Sequence, residues 1–109
     1  MYEVTSNTRK VMGVEVNTYQ RDIINCNILE VEAGTTGYRG GDAGHGGRTY
    51  FRIKDLASTA MEARVEKSRW GDTECIEVEL GGDAELETVI TALQFIVRVL
   101  DEQRREVHD

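Results

Sequence analysis

The sequence has no proline, a single tryptophan and only two cysteines. Cys26 and Cys75 belong to no CxxC spacing, which sets zinc ligation and dithiol redox chemistry aside and leaves two reduced, strand-borne thiols. No apolar run approaches the ~20 residues that cross a bilayer as a helix. The amino terminus, MYEVTSNTRKVMG, lacks the basic-then-apolar layout of a secretory signal, so a cytosolic location is expected. Repeats and low-complexity tracts are missing too. Positive charge is scarce: a formal net charge of −7 argues against a general binder of DNA or RNA, because such proteins concentrate cations to neutralise phosphates. Neither GxGxxG opening a helix nor GxxxxGK[ST] occurs, which excludes a dinucleotide fingerprint and a P-loop.

What remains is a chain of 109 residues, long enough for one core and too short for a second module, so residues 1–109 form a single domain. Its hydrophobic content of 39% and charged content of 30% indicate a folded, soluble protein. Glycine is concentrated in one place: seven fall in the fourteen residues from Gly34 to Gly47. Charge is concentrated there as well. From Gly34 to Lys54 the cations Arg39, Arg48, Arg52 and Lys54 face Asp42 alone, so this segment is +3 and the rest of the chain −10. A basic island in an acidic protein suits a small anion held locally, with the outer surface repelling long polyanions.

Periodicity gives the class as α+β, an antiparallel β-sheet of about five strands with a long C-terminal α-helix. Strands are expected at Val11–Val16 and Asn27–Ala33, with the polar NTYQRDIINC turning between them, and at Arg48–Lys54, Ala60–Lys67 and Glu74–Leu80. In Arg48–Lys54, Thr49, Phe51 and Ile53 form a dry face, while Arg48, Tyr50, Arg52 and Lys54 form a basic, aromatic one. SRWGD is a hairpin turn in which Gly71 supplies a positive φ. The period then changes to helical: Leu86, Val89, Ile90, Leu93, Ile96, Val97 and Leu100 predict a helix over 83–104, with Asp83 as cap and Glu85 and Glu87 complementing the N-terminal dipole. DEQRREVHD reads as a solvated, fraying tail. Ala92, Phe95 and Val99 widen the apolar arc beyond the ~100° that one sheet contact needs. A second helix of the chain or another copy would cover the surplus. Little sequence remains for another helix, so a homo-oligomer with Phe95 buried by its partner is expected.

The glycine-rich loop 34–47 admits two readings. It is a nest of backbone N–H groups that approaches an anion closely, with arginines at its rim forking onto phosphate oxygens, or it is a connector whose path is awkward. The adjoining strand favours the first, since Arg48, Tyr50 and Arg52 present two guanidinium forks and a ring, suited to phosphates and a stacked base. The candidate ligand set is Arg21, Arg39, Gly46, Gly47, Arg48, Thr49, Tyr50, Arg52, Trp70 and Arg98. Trp70 covers a sheet edge or stacks on a base, and Arg98 reaches solvent or a pocket between copies. His45, with Asp42 three residues away, is a candidate general base, but nothing in the sequence supports it rigidly and no nucleophile accompanies it. The same two residues are too few for a metal site, and no cofactor is implied.

The run NTYQRDIINCNILEVEAGTTGYRGGDAGHGGRTYFRIKDLAST, followed by LGGDAELETVITALQFIVRVL, resembles the first Thoeris anti-defence family over most of the chain, from about Asn17 to Leu100. These are small phage proteins that act as sponges for bacterial immune signalling nucleotides. The resemblance implies a non-catalytic protein in the cytoplasm of the infected bacterial host, binding cyclic ADP-ribose isomers. It also implies dimers that assemble further, commonly into hexamers, and in some members capture of cyclic di- or trinucleotides at a separate site. Family ligand contacts are arginine, aromatic and polar residues near subunit interfaces, a description that Arg48, Arg52, Trp70 and Arg98 match by type. Two other function classes stand beside it: a small phosphoesterase or ring-opening hydrolase using His45, and an inhibitor that binds a host protein through the helix face.

Overall fold

The computed structural model describes residues 3–40 and 46–108. Six strands and one helix follow in the order β1 (Thr5–Val11), β2 (Val14–Ile24), β3 (Ile28–Thr35), β4 (Thr49–Ala57), β5 (Met61–Lys67), β6 (Thr73–Leu80) and α1 (Asp83–His108). The first four make an antiparallel sheet in sequential order, and β5 and β6 make a separate two-stranded sheet. The α+β class therefore holds, with six strands in two sheets where about five in one were expected.

The turn at Met12 and Gly13 explains the difference at the amino-terminal end. Both residues have positive φ, 46° and 83°, and Val11 pairs with Val14, which is the two-residue hairpin connection that matches strand twist. The expected strand Val11–Val16 is thus a turn flanked by two strands. NTYQRDIINC, expected to turn, is mostly the body of β2. Cys26 lies in the exposed bend after β2, so only Cys75 is strand-borne, and both are free thiols. At SRWGD the expected turn is present, with Gly71 at φ 89°.

Helix α1 crosses one face of the four-stranded sheet. It buries Ala92, Phe95, Ile96 and Val99 against Ile23, Val31 and Ala33, with Ile53 and Leu100 packed at the margin. Burying each of the valine, isoleucine and phenylalanine side chains in this set contributes about 1.5–3 kcal/mol. Phe95 is 5% exposed inside its own chain, which overturns the expectation that another copy buries it. The surplus apolar stripe is the opposite one: Leu86, Ile90, Leu93 and Val97 are 42–65% exposed.

The helix also runs past the expected end at 104, through the segment read as a tail. Gln103 accounts for this. It is buried, its Oε1 accepts from the Thr35 amide at 2.8 Å, and its Nε2 donates to the Asn17 carbonyl at 2.9 Å, which fixes the last turns to β2 and β3. At the other end, the Glu85 carboxylate accepts from the Ala60 amide at 3.2 Å, and Asn27 Nδ2 donates to the Thr88 and Thr59 hydroxyls at 3.0 and 2.9 Å. These bonds connect the helix, the main sheet and the base of the β5–β6 hairpin.

Candidate functional site

The glycine-rich segment leaves β3 and returns as β4 through a neck made by threonines. Thr35 Oγ1 donates to the Arg48 carbonyl at 2.9 Å and accepts from the Gly37 amide at 3.0 Å. The Arg48 amide donates to Thr36 Oγ1 at 3.0 Å, and the Thr36 amide to the Arg48 carbonyl at 3.0 Å. The two arms then cross so closely that a Cβ on Gly47 would lie 2.1 Å from the Gly37 carbonyl oxygen. Glycine is required at 47 by this approach. His45 and Asp42, the candidate base and its neighbour, lie outside the described residues, as do Gly41, Ala43 and Gly44.

Between this neck and the last turns of α1 is a cavity of about 460 Å³. Its walls are Thr35, Gly37, Tyr38, Arg39, Gly40, Gly46, Gly47 and Thr49 from the loop side, and Leu100 and Arg104 from the helix. Two arginines, a tyrosine, a leucine and four glycines thus line one hollow. Arg104 is held by a hydrogen bond from its guanidinium to Tyr38 and by a second to Asp101, which keeps it on the loop side. Asp101 also accepts from Arg105 at 2.7 Å. Four expected ligand residues meet here: Arg39, Gly46, Gly47 and Thr49. Tyr38 and Arg104 were missed. Tyr38 sits inside the glycine run and could have been read as its ring; nothing marks Arg104 before the helix is known to continue to it.

The other expected residues go elsewhere. Tyr50 and Arg52 do share one face of β4, as alternation required, with Arg48 just ahead of the strand, but it is the face opposite the helix and the cavity. There Arg52 meets a carboxylate. Glu32 of β3 is fully buried, and its two oxygens accept from Nε and Nη2 of Arg9, both at 2.7 Å, across the width of β2. Thr18 Oγ1 donates to the same carboxylate at 2.7 Å, and Arg52 adds an ion pair to Glu32 at 3.3 Å and another to Glu30. The Arg9 guanidinium holds the Glu32 carboxyl below the usual carboxylate range, against the opposing effect of burial. It also lies over the Tyr50 ring, 5.4 Å from the centroid. The basic island is therefore neutralised in part by its own sheet, and Arg52 and Tyr50 serve that network. Gly34 makes room for it: a Cβ there would be 2.3 Å from the Asn17 carbonyl oxygen and 2.8 Å from Thr18 Cγ2. Arg48 turns toward the β1–β2 turn, donating to the carbonyls of Met12 at 3.2 Å and Gly46 at 2.9 Å.

The dry face expected for β4 is also divided, since α1 lies over β2 and β3. Only Ile53 joins the core, Thr49 lines the cavity and Phe51 is 58% exposed. Arg21 is under the helix, 5.9 Å from the Phe95 ring centroid. Trp70 is at the tip of the β5–β6 hairpin, exposed, with Arg69 over its ring at 5.6 Å. Arg98 borders a shallow hollow on the outer side of α1 with Leu93, Gln94, Val97 and Asp101. None of these three lines the loop cavity. Among the described residues no group of three His, Cys, Asp or Glu side chains is placed to hold a metal ion, and no helix is long and apolar enough to cross a membrane. Comparison of the chain with protein-family models, with curated proteins and with solved structures found no match.

Proposed function

We propose that the chain is a non-catalytic sponge that sequesters signalling nucleotides of bacterial immunity, cyclic ADP-ribose isomers first, with cyclic di- and trinucleotides as further ligands to test. It would act as a homo-oligomer in the cytoplasm of the infected host. The observation that carries this reading is the cavity between the glycine loop and the end of α1. Arg39 and Arg104 supply two forks for phosphate oxygens, Tyr38 a face for a base, and Leu100 an apolar floor. The volume, about 460 Å³, lies in the range of small-molecule sites. The resemblance of the sequence to the first Thoeris anti-defence family gives the ligand its name; the cavity's chemistry supports an anion with a ring.

Retention and turnover are separated by one experiment. The protein is incubated with a cyclic ADP-ribose isomer, freed of unbound ligand and heated, and the released small molecule is weighed by mass spectrometry. A sponge returns the ligand intact. Recovery of a ring-opened or dephosphorylated product that disappears in His45→Ala would replace this reading with the hydrolase.

A further inference from the structure

The β5–β6 hairpin exposes an apolar face on which none of the described residues packs. Register places Met61, Ala63 and Val65 opposite Leu80, Val78 and Ile76, all on one side. Val65, Ile76 and Val78 are 56%, 69% and 49% exposed. The other side is charged, and there Arg64 pairs with Glu77 at 3.2 Å and Glu79 at 2.6 Å. An isolated two-stranded sheet is marginally stable in water and needs a surface to lie on. The same chain has one unused: Leu86, Ile90, Leu93 and Val97, a stripe along the outer side of α1.

We infer that in a homodimer the apolar face of β5–β6 from one copy lies on the Leu86–Val97 stripe of the other, and the reverse. This rests on reading the chain as a homo-oligomer, and names the seam. A second copy is the occupant for three reasons. Both surfaces are aliphatic, and no charged side chain belongs to either set. Their lengths agree, since a twelve-residue helical stripe is about 17 Å long and the five-residue apolar stretches Met61–Val65 and Ile76–Leu80 are about 16 Å. A twofold axis satisfies both surfaces in each copy at once, giving a closed pair with no leftover face. Seven half-exposed aliphatic side chains on each copy, counted over both copies, remove on the order of 1,000 Å² before any polar rim, close to the ~1,200–2,000 Å² of a standard stable interface.

The test uses protein in which Cys26 and Cys75 are replaced by serine. Into this background single cysteines are introduced at Val65, Ile76 or Val78 in one sample, and at Ile90, Leu93 or Val97 in another. Hairpin and helix variants are mixed, allowed to exchange and oxidised, with circular dichroism confirming that each is folded. The expected result is a disulfide-linked hairpin–helix heterodimer on non-reducing gels for at least one pair. Light scattering is run on the same samples, so that two failures are distinguishable. A monomer at micromolar concentration sinks the oligomer reading itself, including the case in which the stripe serves a host protein. A dimer in which no hairpin–helix pair crosslinks overturns the seam alone.

Discussion

Replacing Glu32 by glutamine removes the charge at the centre of the sheet's polar face while keeping the side chain's size. In the parent, the carboxylate accepts both Arg9 bonds and the Thr18 hydroxyl at 2.7 Å, with Arg52 at 3.3 Å. A glutamine amide retains one acceptor oxygen and points an N–H pair at groups that are themselves donors. Breaking a buried ion pair costs about 3–5 kcal/mol when the surviving charge is trapped. Arg9 is 38% exposed and can regain water, so the expected loss is lower, about 2–3 kcal/mol. In a domain of this length that lowers Tm by on the order of 10 °C. The pH dependence gives a second readout. The folded carboxyl is held below its usual range by Arg9, so its stabilisation is complete above the unfolded value near 4.3 and is lost as pH falls through the lower folded value. Parent and Glu32→Gln should therefore differ at pH 7 and converge in acid, measured by urea unfolding followed by circular dichroism. Equal stability at pH 7, or a gap that persists unchanged at pH 2, would refute the role given to this ion pair.

Three further outcomes follow from the packing. Gly34→Ala places a methyl 2.3 Å from the backbone oxygen of Asn17, a contact that backbone must move to relieve, and should cost more than about 3 kcal/mol in urea unfolding. Phe95→Ala should destabilise the monomeric unit by about 3–5 kcal/mol because the ring belongs to the chain's own core. Val97→Asp, on the outer stripe, should leave the folded unit intact and change only the sedimented mass.

Much of the architecture was legible where one physical pattern dominated. Helix α1 shows it, since its period is sustained over many turns. Its two apolar stripes show the limit. Periodicity finds both Phe95 and Leu93 but cannot tell which side meets the sheet; that is decided by the strands, through Ile23, Val31 and Ala33. Strand β2 was lost because both of its faces carry polar side chains. Thr18 and Gln20 face the Glu32 network while Tyr19 and Arg21 face the helix, so the alternation of apolar and polar residues that marks a strand is blurred. The ligand loop was legible as glycine and charge. Its partner was not, because Arg104 comes from the far end of the chain and reaches the loop only through Gln103, whose two hydrogen bonds join α1 to the sheet. The Arg9–Glu32 pair is likewise a contact across three strands, and no local spacing records it.

The most direct measurement is calorimetric titration of a cyclic ADP-ribose isomer into the parent protein and into Arg104→Ala, with Arg64→Ala as control. Arg104 lines the loop cavity, whereas Arg64 pairs with Glu77 and Glu79 on the hairpin's charged side. The account requires binding by the parent, a loss of about tenfold to a hundredfold in Arg104→Ala, and parental affinity in Arg64→Ala. Parental affinity in Arg104→Ala, with the fold intact by circular dichroism, would contradict it and move the ligand site away from the glycine loop.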